Sequence, residues 1–152
     1  MRPQLLLLSL LFSSYVFAQN AQSVYDSSLA KKLGADDYGM KQYVMVFLKA
    51  GPVTITDTAQ RAQILRGHLA NIFRLSGEGK LLIAGPFLDK GNFAGVFIFD
   101  VRTIDEAKLL VATDPAIKAG MFEAEYHSWY GSAALMKINE LHKQVQRKGF
   151  FD

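Results

Sequence analysis

The chain contains no cysteine. That excludes a disulfide framework, a thiolate nucleophile and a zinc–thiolate site together. It leaves an oxidising compartment permitted but not indicated. Histidine is scarce: His68, His127 and His142 are scattered, with no His-x-x-x-His spacing, so a metal enzyme is not expected. Charge of one sign is lacking as well. A formal balance of +3 over 152 residues is too small for a nucleic-acid surface or a polybasic membrane patch. There is no internal repeat, no low-complexity run and no serine-nucleophile motif. Ser76-Gly77-Glu78-Gly79-Lys80 imitates a phosphate loop, but its spacing is wrong and no Ser or Thr follows Lys80. A strand rather than a helix comes next, and Glu78 would repel phosphate.

What is present begins with an export signal over residues 1–18. Arg2 is a minimal positive region, Leu5–Phe12 an apolar core, and Val16-Phe17-Ala18 a processing site with Gln19 as the new terminus. The alternative is a retained anchor. Spanning a core of about 30 Å takes roughly 20 apolar residues, and this run is shorter. No cysteine follows it for lipid attachment. The expectation is a secreted or periplasmic protein with no stable membrane insertion. Removing the signal takes away only Arg2 among the charges, which leaves a near-neutral chain of single-domain length.

Residues 19–40 read as an N-terminal arm. Asp26 can cap a short helix over Ser27–Leu33, and Gly34 stops it. Tyr43–Leu48 is a strand apolar on both faces, broken by Gly51-Pro52. Asp57 or Thr58 then caps a long helix with an apolar stripe of Ala62, Leu65, Leu69, Ile72 and Phe73, ended by Gly77 and Gly79. Lys80–Pro86 and Phe93–Val101 form a hairpin across the turn Asp89–Asn92. Thr103 begins a second helix, with Asp105 and Glu106 at its positive end and Ala107, Leu110 and Val111 on its apolar face. Pro115 and Gly120 stop it, and Met121–Trp129 is the fourth strand. A C-terminal amphipathic helix and tail over 133–152 carry Ala134, Ile138, Leu141 and Val145 on one side.

This order is ferredoxin-like, βαββαβ: an α+β fold with two helices on one face of a four-stranded antiparallel sheet, plus an extra C-terminal helix. If Val44, Val46, Leu48, Val96 and Ile98 face the helices, alternation puts Tyr43, Met45, Phe47, Phe97 and Phe99 on the opposite face. Leaving five such side chains wet forgoes roughly 8–15 kcal/mol at about 1.5–3 each, as much as a domain's whole stability. A second copy's sheet or the C-terminal helix must cover that face. A homodimer with two stacked sheets is the favoured arrangement.

The segments Tyr43–Leu48, Arg66-Gly67-His68-Leu69, Ala84-Gly85-Pro86-Phe87, Asp114-Pro115-Ala116-Ile117-Lys118-Ala119-Gly120 and Ser128-Trp129-Tyr130 follow one another in a distinctive order. Over residues 41–132 the chain resembles the YciI-like (YCII-related domain) family of the dimeric α/β-barrel superfamily. The resemblance implies a dimer with a pocket between sheet and helices, and a dyad of His68 and Asp114. Family members include a dehydrochlorinase of a chlorinated hydroxyaromatic ring. The export signal, the arm and the C-terminal helix are departures from the short cytoplasmic members.

Each candidate has a plain structural alternative. His68 can be a border histidine bonded to a carbonyl or water, or an acid–base group. Asp114 is also a good cap before a helix-starting Pro115. Arg66 can bind an anionic substrate group or be a solvated helix residue. Gly85 and Pro86 can expose backbone at a pocket rim or simply end a strand. Glu123, Glu125 and His127 share a strand face, either as a polar wall or metal-binding fragment, or as the charges that protect an edge strand. His142 is expected in solvent. Two functions follow: a cofactor-independent lyase, isomerase or dehydrohalogenase acting on a small cyclic or hydroxylated substrate, or a non-catalytic module that binds a small molecule or a protein.

Overall fold

The structure, a computed structural model, describes residues 24–89 and 91–150. The export signal with its processing site after Ala18, and Lys90 of the expected turn, lie outside the described residues. Helix α1 (Ser27–Leu33) precedes β1 (Met40–Ala50), α2 (Thr58–Gly77), β2 (Leu81–Pro86) and β3 (Phe93–Phe99). Then come α3 (Ile104–Val111), α4 (Pro115–Lys118), β4 (Phe122–Ser132), a 3-10 turn (Ala133–Lys137) and α5 (Ile138–Val145). The four strands form one antiparallel sheet in the order β2-β3-β1-β4. With the helices inserted after β1 and β3, this is the ferredoxin-like arrangement.

The local signals act as the residue chemistry demands. Asp26 accepts from the Leu29 amide at 2.9 Å, and Gly34 ends α1 at φ 70°. Asp57, not Thr58, caps α2 through the Gln60 amide at 2.9 Å. Thr103 and Glu106 cap α3 reciprocally. One expectation differs at Pro115. It does not stop the second helix but opens the separate turn α4, because Asp114 caps that turn and proline suits its first position.

Two face assignments are corrected. Val44 pairs with Phe99 and Val46 with Phe97, and directly paired residues share a face. Phe97 and Phe99 therefore join Val44, Val46 and Leu48 in the core under the helices, while Val96 and Ile98 face the other way. On α2 the buried residues are Asn71 and Leu75, whereas Ala62 and Phe73 are exposed. The inward face of the helix thus runs through His68, Asn71, Ile72 and Leu75. His68 belongs to that face rather than lying beside it.

The outer face of the sheet is covered at one end by the chain's own C-terminal segment. Leu135, Met136 and Ile138 pack on Tyr43, Leu82 and Ile98. Asn139 donates to the Leu81 carbonyl at 2.9 Å. Of the stripe expected on this helix only Ile138 packs: Ala134 falls in the 3-10 turn and is exposed, and Leu141 and Val145 are exposed further along α5. Among the described residues, no helix is long and apolar enough to cross a membrane.

Candidate functional site

His68 sits near the middle of α2, and Asp114 is the residue just before α4. The fold brings them together, with Nδ1 of His68 2.7 Å from Oδ2 of Asp114. The other carboxyl oxygen, Oδ1, accepts from the Ala116 amide at 2.8 Å. Asp114 therefore caps a helix and holds an imidazole at once. A carboxylate only accepts, so a neutral His68 carries its proton on Nδ1 and leaves the Nε2 lone pair free. Among the described residues, Nε2 makes no hydrogen bond. The Asp114 side chain is 1% exposed and the His68 side chain 12%. Rings of Phe97 and Phe122 lie beside the imidazole, with centroids at 6.0 and 5.5 Å. The setting is a mostly closed polar pair in an aromatic wall.

A second polar tie lies further along α2, and sequence reasoning missed it. The buried Asn71 accepts from Arg74 at 2.8 Å, and its Oδ1 lies 3.0 Å from the Thr113 hydroxyl. Arg74 also donates to Thr113 at 3.0 Å and pairs with Glu78. The available signal was an asparagine three residues after His68, on the same helical face.

The other candidates are not gathered here. Arg66 is exposed, and two residues along a helix are about 200° apart, so it points away from His68. Gly85 pairs with Val96 and opens on the outer face of the sheet, opposite to His68. Pro86 is exposed at the end of β2.

Glu123, Glu125 and His127 lie on the edge strand β4, on the outer face beside Phe47 and Lys49. Glu125 bonds both Lys49 and His127, the latter at 2.8 Å. Those two bonds, Lys49's first, hold its carboxyl below the usual glutamate range. Phe47 meets Phe93 and Phe87 at 4.8 and 6.4 Å, so this uncovered end of the outer face is an aromatic patch rimmed by charge. His142 is exposed, as expected. Among the described residues, no three His, Asp or Glu side chains are grouped to hold a metal ion.

A groove of about 700 Å³ opens at the other end of the sheet, where Lys41, Lys80, Asp100, Arg102, Glu106 and Tyr130 line it. Its carboxylates are already engaged. Asp100 pairs with Lys41 at 2.7 Å, and Glu106 accepts from the amides of Arg102 and Thr103 at 3.0 and 3.1 Å. Asp36 accepts from Tyr130. Such commitments describe a structural seam.

Comparison with known proteins gives a family through one family model. No curated protein matches significantly. One similar solved structure is the 5-chloro-2-hydroxyhydroquinone dehydrochlorinase of Burkholderia phenoliruptrix AC1100, in complex with 2,5-dihydroxybenzoquinone. It is 24% identical, and the match covers 57% of this chain and 92% of that one at a TM-score of 0.45. The YCII-related domain matches residues 42–129, from β1 into β4 and including both His68 and Asp114. That span is more than half of the 152 residues, and the chain belongs to the YCII-related domain family.

Proposed function

We propose that this protein acts on a small cyclic or hydroxylated molecule by cofactor-independent acid–base chemistry, with His68 as the proton-transfer group and Asp114 orienting it. The supporting observation is the 2.7 Å contact at Nδ1, with Nε2 making no hydrogen bond among the described residues. In this reading Nε2 takes a proton from a substrate hydroxyl or an activated carbon. In an elimination, the electron pair left behind forms a double bond as the leaving group departs with its own bonding pair. In an isomerisation, the proton returns from Nε2 to a different atom. Asp114 stabilises the imidazolium formed in between.

The closed setting favours a second reading. With His68 only 12% exposed between Phe97 and Phe122, the same site suits a module that binds a ligand without turnover. A thermal-shift screen of the mature protein against hydroxylated aromatics and cyclic ketones separates the two. A ligand that binds only the folded form raises the melting temperature, and a hit can then be followed for product. Conversion lost in His68→Ala supports the enzyme. Binding without conversion supports the module, and hits whose shift is unchanged in His68→Ala refute both at this site.

The proposal includes export, with Gln19 as the mature terminus in the periplasm or outside the cell; N-terminal mass analysis of the protein recovered from that fraction checks it. It also includes a homodimer. The C-terminal segment already covers the Tyr43 end of the outer face, so a second copy would dock at the end bearing Phe47, Phe87 and Phe93.

A further inference from the structure

We infer that Gly67 is a positioning residue for the His68–Asp114 pair: its missing side chain sets how closely α2 approaches the Asp114-Pro115 step. A glycine inside a 20-residue helix weakens that helix relative to alanine, so its presence needs a reason. Backbone freedom is not the reason, since Gly67 is not among the glycines of positive φ. Close approach is. A Cβ at Gly67 would lie 3.0 Å from Cγ and 3.3 Å from Cβ of Pro115. Pro115 is a closed ring at the first position of α4, and it cannot swing aside as a long side chain would.

Gly67 touching Pro115 and His68 touching Asp114 are one docking event at neighbouring positions. The contact of Asn71 and Arg74 with Thr113 holds the same turn from further along α2, so residues 113, 114 and 115 are each fixed against one helix. With a methyl group at Gly67 the Pro115 ring must give by a few tenths of an ångström, and a ring closed onto the backbone passes that shift to the α4 turn. That is enough to take a 2.7 Å bond toward the outer limit of hydrogen bonding, about 3.2 Å.

This inference rests on the reading of His68 and Asp114 as the site, yet its test reads the pair itself and needs no turnover. The full mature chain is labelled with 15N-histidine, and the His68 tautomer is measured by NMR at a pH where the imidazole is neutral. The wild type should carry its proton on Nδ1. Gly67→Ala should lower the ratio of Nδ1–H to Nε2–H measurably, by up to roughly fivefold, the ratio that one ordinary hydrogen bond sustains. Gly77→Ala, where an added Cβ meets nothing within 4 Å, should leave it unchanged. Pro115→Ala in the Gly67→Ala background removes the closer contact, to Cγ, and should move the tautomer back toward the wild type. An unchanged tautomer in Gly67→Ala, with the helix merely stabilised, overturns the inference. If Gly67→Ala does not fold, the double variant decides: recovery of the wild-type tautomer supports the inference, and failure to fold overturns it.

Discussion

Replacing Asp114 tests the site most sharply, because its two oxygens do separate work. In Asp114→Ala the Ala116 amide loses its cap, at a cost of about 1 kcal/mol with a range of 0.5–2. The Nδ1–H of a His68 that is 12% exposed loses its acceptor, which costs about 1–3 kcal/mol. Together the loss should be about 1.5–5 kcal/mol, centred near 3. With a urea slope of about 1–3 kcal/mol/M, a loss near 3 moves the unfolding midpoint by roughly 1–3 M. Asp114→Asn should behave differently. Asparagine caps as well as aspartate, but its single carbonyl oxygen cannot serve both the Ala116 amide and His68. With that oxygen on the amide, its NH₂ group faces the imidazole, which then accepts at Nδ1 and carries its proton on Nε2. Stability should fall by about 1 kcal/mol or less, while Nε2, now protonated, could no longer make the proposed proton abstraction. Urea melts of both variants, with 15N NMR of His68, measure this. Equal destabilisation by Ala and Asn, or an Ala variant within about 1 kcal/mol of wild type, would refute the reasoning.

Truncation after Ser132 should expose Tyr43, Leu82 and Ile98 at about 1.5–3 kcal/mol each, a large share of a domain's stability. A truncated chain that still melts sharply within a few degrees of the full one would show that the C-terminal segment is not a needed cover. Phe47→Asp at the open end of the outer face should turn the proposed dimer into a monomer by analytical ultracentrifugation, leaving the His68 tautomer unchanged. On the acid side, hydrogen bonds from the Arg102 amide and then the Thr103 amide hold Glu106 below its ordinary value of 4.5. Because the folded value is the lower one, its contribution is complete above about pH 4.5 and fades as pH falls through the folded value. Glu106→Gln should therefore flatten the fall of melting temperature below that pH, and an unchanged slope would assign the fall to other carboxylates.

Local chemistry was sufficient for most elements, though not for α4 or the 3-10 turn before α5. Asp26, Asp57 and Thr103 capped where side-chain oxygens can reach free amides, Gly34 and Gly79 took the left-handed turns, and the βαββαβ order followed from alternation and helical spacing. The pairing of His68 with Asp114 entered through the resemblance of short motifs, since no local rule links residues forty-six apart. Periodicity also could not settle which face of β3 turns inward. Phe97 and Phe99, or Val96 and Ile98, fit a helix-covered face equally well, and only the register with Val44 and Val46 chose the phenylalanines. The same limit applied to α2 and to the C-terminal segment, where a hydrophobic stripe read by eye placed Phe73, Leu141 and Val145 inward and docking left them exposed. Hydrogen-bonding rules within a few residues govern caps and turns. Which faces meet, and how closely Gly67 lets Pro115 approach, depends on long-range packing that local rules do not encode.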